Sequence, residues 1–140
     1  MTAKGLAMLK RFEGFRSIPY RDPAGFWTVG WGHKFEGRPP LRFYSETACE
    51  DMLAADVAEA ARTVTEAVTV PLSETQCDAL TDFVFNLGST AFEESTLLRL
   101  LNAGRYDAVP GQLRRWVHAG GRVLQGLVER RAAEITLWTA

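Results

Sequence analysis

Apolar side chains recur at helical spacing along most of this chain, with one long interruption near the N-terminus. Residues 3–13 place Leu6, Leu9 and Phe12 on one face, which predicts a short amphipathic helix. From Ser17 to Phe43 the pattern gives way to aromatics, glycines and prolines, the texture of short strands and turns. Within it, Asp22-Pro23-Ala24-Gly25 predicts a turn: Asp can bond its own backbone, Pro presets φ and Gly closes the bend. Helical spacing returns near Ser45. There Thr47-x-x-Glu50 has the form of a capping box, and Leu53, Val57, Ala60, Ala61, Val64 and Val68 follow along one side. A helix of about 20 residues is long enough to join two lobes.

Pro71 ends that helix, and Ser73-x-x-Gln76 is a second capping box opening a helix through Leu80, Phe83, Val84 and Leu87 to Gly88. Another carries Leu97, Leu98 and Leu101 as far as Gly104. Residues 107–117 predict a shorter helix, with Pro110 tolerated in its first turn. Gly120-Gly121 breaks the chain before a last helix with Leu124, Leu127, Val128, Ile135 and Trp138. The expected fold class is α+β and mainly α. It is one domain, residues 1–140, in which a small β-containing N-terminal lobe is joined by a long helix to a helical lobe, the lobes being roughly residues 1–52 and 53–140.

Length and composition fit that reading. At 140 residues, 46% hydrophobic and 24% charged, the chain can bury a core without metal or disulfide help. No run approaches the roughly 18 apolar residues of a membrane span, and residues 1–11 carry charges in place of a secretory leader's apolar centre. The expectation is synthesis in the cytoplasm, with export dependent on another agent. If Cys49 opens a long helix ending near Val68, that helix places Cys49 and Cys77 roughly 28 Å apart along its axis, so no disulfide is expected. Neither these cysteines nor His33 and His118 have ligand-like spacing, so no metal and no cofactor is expected.

The net charge of −1 conceals strong segregation. Residues 1–44 carry eight Lys/Arg against three acids, residues 45–98 one against eleven, and residues 99–140 seven against three. The acidic stretch reads mostly as a solvated helix face, and the two basic ends as the frame of a cleft for an anionic polymer.

The candidate chemistry is concentrated between Phe12 and His33. Glu13, Asp22 and Thr28, spaced E-x8-D-x5-T, put two carboxylates and a hydroxyl across a helix end, a turn and a hairpin. Two carboxylates on opposite sides of a sugar bond are the usual equipment of glycoside hydrolysis. Glu13, set among Phe12 and Phe15 with Trp27 and Trp31 near, is expected in apolar surroundings that favour the protonated form of a general acid. Asp22, in a polar turn, is expected ionised, with the Thr28 hydroxyl helping it to orient a water. Each acid also has an ordinary reading: Glu13 as an ion-pair partner of Arg16, Asp22 as a turn former.

Phe12-Glu13-Gly14-Phe15-Arg16, Tyr20-Arg21-Asp22, Thr28-Val29-Gly30-Trp31-Gly32-His33, Phe83-Val84-Phe85-Asn86-Leu87-Gly88, Arg115-Trp116 and Gly120-Gly121 together resemble the phage-type lysozymes, or endolysins, of glycoside hydrolase family 24. The resemblance runs from the first helix to Trp138. It implies a lysozyme-like fold and a muramidase that cuts the β-1,4 bond between N-acetylmuramic acid and N-acetylglucosamine, with inversion. It also implies Glu13 as general acid, Asp22 as the carboxylate that places the water, and Thr28 as its partner. Phe85, Asn86 and Arg115 match segments that line a substrate cleft, with Phe85 equally readable as core. Trp31, like Trp27, could stack on sugars or simply pack. His33 is implied to be structural, paired with Asp56. Inversion requires a Glu13–Asp22 separation of roughly 6.5–9.5 Å.

Other readings are weaker. Gly30-Trp31-Gly32 is no dinucleotide loop, since position 35 is Phe; close backbone approach in a hairpin explains the glycines. The run Arg114-Arg115-Trp116 … Arg122 … Arg130-Arg131 loosely suggests a helix-turn-helix nucleic-acid surface, but a basic surface suits anionic peptidoglycan equally. A lytic transglycosylase would need only the glutamate, and an inactive wall-binding module neither acid. The expected partner is peptidoglycan glycan strands. No nucleic acid and no stable membrane insertion are expected, and the enzyme is expected to be a monomer released by a holin without direct contact. It would stay in the host cytoplasm until it acts on the wall from the periplasm.

Overall fold

The computed structural model describes all 140 residues. Its first helix, α1 (Ala3–Glu13), forms where the apolar period predicts it. The Thr2 hydroxyl caps it by accepting the Gly5 amide and donates in turn to Asp78 on a distant helix. Gly14, at φ +69°, ends α1 and leaves Glu13 as its last residue.

A three-stranded antiparallel sheet follows, β1 (Arg16–Arg21), β2 (Trp27–Gly30) and β3 (His33–Lys34), in that order. Tyr20 stands opposite Thr28 and Arg21 opposite Trp27. The predicted turn closes β1 onto β2. Asp22 N donates to the Phe26 carbonyl, Gly25 N to the Asp22 carbonyl, and Phe26 N to Asp22 Oδ1 at 2.8 Å.

The long helix α2 (Glu46–Ala67) runs out of this sheet region. Its N-cap is Ser45, whose hydroxyl accepts the Ala48 amide, and not the Thr47-x-x-Glu50 box the sequence suggested. Thr47 and Glu50 lie inside the first turns, and Glu50 pairs with Lys10 of α1 at 2.5 Å. α3 (Glu74–Leu87) opens with the predicted Ser73/Gln76 capping box and stops at Gly88. α4 (Ser89–Glu93), too short to leave a period, was not anticipated. α5 (Thr96–Asn102) follows.

The predicted helix at 107–117 is instead a 3-10 turn, Tyr106–Ala108, continued by α6 (Val109–Leu113) with Pro110 in its first turn. Arg115 and Trp116 fall beyond it. Next comes a two-stranded hairpin, β4 (His118–Ala119) and β5 (Arg122–Val123), where a helix-turn-helix reading would need only a short turn between two helices. α7 (Gln125–Trp138) closes the chain.

Two apolar clusters form the core. Leu9, Val29, Trp31, Tyr44, Cys49, Leu53 and Val57 make the smaller, under the sheet. The larger gathers α3, α5, α6 and the end of α7 around Phe83, Phe92, Leu97 and Leu101, beginning on α2 at Ala60. The clusters therefore divide within α2 between Val57 and Ala60, and Phe85 packs against both. Both cysteines are free thiols, Cys49 in the smaller cluster and Cys77 on α3.

Candidate active site

Local chemistry positions the sequence-predicted triad. Asp22 is held by the Phe26 amide, its side chain 15% exposed, with Lys34 Nζ 3.8 Å away. Thr28 is buried on β2, and its hydroxyl donates to the Phe26 carbonyl at 3.1 Å. Asp22 and Thr28 are thus anchored to the same residue from its two sides. The hydroxyl's proton is committed to that carbonyl, so toward a water Thr28 offers lone pairs.

Glu13 sits differently from expectation. Its carboxylate meets a guanidinium and not an aromatic wall: Arg130 Nη1 on α7 donates to Glu13 Oε2 at 2.5 Å. The ion-pair partner is therefore Arg130, from the far end of the chain, in place of Arg16. The other face of Glu13 packs against the β2–β3 turn, where a Cβ on Gly32 would collide with Oε1. The predicted close backbone approach is made to the candidate acid itself. Phe15 is against Trp31, with ring centres 4.6 Å apart.

Arg130 is the residue the sequence reading missed. Its Nε and Nη2 donate to the two oxygens of Asp82 on α3, each at 2.9 Å, and its third nitrogen holds Glu13. Burial alone would lower its pKa. The hydrogen bonds and charge of Asp82, then of Glu13, outweigh that and raise it above the ordinary arginine value. Arg130 is buried, so it is no part of the basic surface read from Arg114 to Arg131. Tyr20 was also missed. Burial chiefly, opposed by Arg16, pushes its phenol up, and the charges of Glu13 and then Asp22 push the same way. Both candidate acids act on one phenol.

The predicted substrate contacts separate. Phe85 and Asn86 line a cleft of about 360 Å³ with Gly32, Lys34 and Asp56, drawn from both lobes. Asn86 Oδ1 accepts from Arg131 Nη2 at 2.6 Å, which fixes the amide's orientation and leaves its NH₂ free to donate. Arg115 lies in another concavity, of about 420 Å³, with Glu94, Gln112 and Trp116. Trp31 is 8% exposed, in the smaller core and beneath Lys10, whose Nζ is 4.3 Å from the ring centre. It packs, and presents no face for sugar stacking. His33 Nδ1 is 2.8 Å from Asp56 Oδ2, tying the hairpin to α2 as expected.

The sequence profile of the phage lysozyme family matches residues 10–134, from α1 through most of α7. The chain belongs to the phage lysozyme family. It is 39% identical to an endolysin of Acyrthosiphon pisum secondary endosymbiont phage 1, over 99% of this chain and 97% of that protein. It is 40% identical to a SAR-endolysin of bacteriophage PS119, over 90% of this chain and 77% of that one. Among solved structures, it is similar to the muramidase domain of SpmX from Asticaccaulis excentricus, with a TM-score of 0.89 at 32% identity over 99% of this chain and 97% of that one. Membership makes the chain a glycoside hydrolase of the endolysin kind, with the lysozyme-like, mainly helical α+β fold described above. Its substrate class is peptidoglycan.

Proposed function

We propose that residues 1–140 are a single catalytic domain, an endolysin muramidase. It hydrolyses the β-1,4 bond between N-acetylmuramic acid and N-acetylglucosamine with inversion, and so lyses the host at the end of phage infection. The observation that carries this reading is that two carboxylates, Glu13 and Asp22, are each fixed against one three-stranded sheet by named partners. Glu13, the last residue of α1, lies against Gly32 in the β2–β3 turn, and Asp22 is held in the turn between β1 and β2. Glu13 acts as general acid, delivering its proton to the glycosidic oxygen as the bond breaks. Asp22 takes a proton from the attacking water and offsets positive charge on the opening sugar, with Thr28 lone pairs helping to hold that water. Phe85 and Asn86 contact the glycan, the amide NH₂ matching acetamido oxygens; Arg115 serves carboxylates further out. The enzyme acts as a monomer with no cofactor. It waits in the host cytoplasm and reaches the wall once a holin has permeabilised the membrane.

Glu13→Gln keeps the shape and the Arg130 contact but has no proton to give. Turbidity loss of purified peptidoglycan is expected to slow by about a hundredfold or more; undiminished lysis would remove Glu13 from the role of acid. The first-formed anomer, read by proton NMR on a soluble glycan fragment, is expected to be α. A β product would make Asp22 a nucleophile, and anhydromuramic ends would indicate a transglycosylase.

A further inference from the structure

The cleft that Phe85 and Asn86 line has one cationic residue in its wall, Lys34, which the reaction as described leaves unused. Lys34 is the last residue of β3 and stands opposite Thr28, so its side chain leaves the sheet on the same face as the Thr28 hydroxyl. Its Nζ lies 3.8 Å from Asp22 Oδ2 and 4.9 Å from the centre of the Phe26 ring. Asp22 Oδ1 accepts from the Phe26 amide, while Oδ2 is too far from Nζ for a hydrogen bond. The three donors of the ammonium are thus uncommitted, on a side chain 58% exposed.

Folding does not require this lysine. An exposed ammonium at that distance from a single carboxylate adds little to stability. What the fold does fix is the place of the charge: the Phe26 ring supports it, and Asp22 draws it toward the reacting end of the cleft. The other charged residues of the cleft, Asp56 and Glu59, are both acids and both on α2. Asp56 is tied to His33, and Lys34 pairs with neither. An anionic group on a bound ligand is therefore repelled from the α2 side and attracted to one position, that of Lys34. A neutral ligand gains nothing from the arrangement.

The two sugars of peptidoglycan differ in this respect. N-acetylmuramic acid carries a lactyl arm that ends in a carboxylate, or in a peptide stem bearing carboxylates, and N-acetylglucosamine carries neither. We propose that Lys34 is a specificity-determining residue that binds a carboxylate on the arm of the muramic acid, and so sets the alternating strand in register with Glu13 and Asp22. The inference rests on the muramidase reading above. Lys34 makes and breaks no bond in the reaction. It contributes the same attraction before and during bond cleavage, so its effect belongs in KM.

Amidation of the substrate tests it, because it removes the charge and keeps the arm. Soluble glycan strands with peptide stems, and strands stripped to the lactyl carboxylate, are each compared with their amidated forms. The parent is expected to prefer the carboxylate form by about fivefold in kcat/KM, expressed in KM, in at least one of the two pairs. The pair that shows the preference identifies the lactyl or the stem carboxylate as the ligand. Lys34→Arg is expected to keep the preference and Lys34→Met to abolish it. No preference in the parent, or one that survives in Lys34→Met, overturns the proposal. A preference that Lys34→Met loses through kcat alone also overturns it, since the lysine would then act on Asp22 and not on the substrate. A parent that cuts none of these strands would instead remove the muramidase reading. The charge preference is then read as binding of the same strands to Glu13→Gln, with and without Lys34→Met, by calorimetry; equal affinities for carboxylate and amide forms would overturn the role of Lys34 separately.

Discussion

At the scale of single residues, the site depends on one position where a side chain cannot fit. Gly32 has φ +74° and packs directly against Glu13 Oε1. Gly32→Ala therefore combines backbone strain with displacement of the candidate acid. It is expected to lower stability by about 1–2 kcal/mol and kcat/KM by about tenfold or more. Gly37, at φ +77° with open space where a Cβ would go, is the control: Gly37→Ala carries the strain alone and should lower the melting temperature without touching turnover. Equal activity in the two variants would dissociate Gly32 from Glu13. Asp22 and Thr28 were legible in sequence because neighbouring chemistry positions them: the Asp-Pro-Ala-Gly turn fixes one, and strand register fixes the other. Arg130 was not, because a charged side chain late in a chain reads as surface. The signal was present in the spacing: Leu127, Arg130, Arg131, Glu134 and Leu137 share one face of α7, so the charges occupy core-facing positions.

Elements long enough to show a period, α1, α2, α3 and α7, were legible with most of their boundaries, whereas short ones were governed by contacts the sequence does not display. α4 has five residues, barely one turn of apolar pattern. The β4–β5 hairpin had a readable cue: Gly120 and Gly121, both at positive φ, are the two-residue loop that a right-twisted hairpin favours, but they read as a mere break before α7. The start of α2 was misplaced by two residues because Ser45 and Thr47 are both good caps. Only Ser45 has the extended backbone of a cap, at ψ 154°, and its hydroxyl reaches the Ala48 amide. Thermal or urea unfolding is expected to give a loss of about 1 kcal/mol for Ser45→Ala and a markedly smaller one for Thr47→Ala. The reverse order would return the cap to Thr47.

Across the whole molecule, the segregation of charge along the chain is partly undone by folding. The acidic middle segment was expected to face solvent, yet Asp78 and Asp82 are buried, one against Thr2 of the first helix and the other against Arg130 of the last. The acidic segment and the two basic ones thus meet around α3, which no local pattern could reveal. This arrangement also links stability to pH. Glu134 is raised in the folded state above the value near 4.5 that it has in an unfolded chain. For a carboxyl so shifted, the unfolded state loses its proton first as pH rises. Its stabilising contribution is therefore complete below about pH 4.5 and is lost progressively up to the folded-state value. Glu134→Gln cannot lose that proton. Urea unfolding of both proteins from pH 4.5 upward isolates the group, since every other titration is common to the pair. The stability of the Gln variant relative to the parent is expected to rise with pH and then level off. A constant difference would mean that Glu134 titrates alike in the folded and unfolded chains, and a difference falling with pH would mean that the folded protein holds it as a carboxylate.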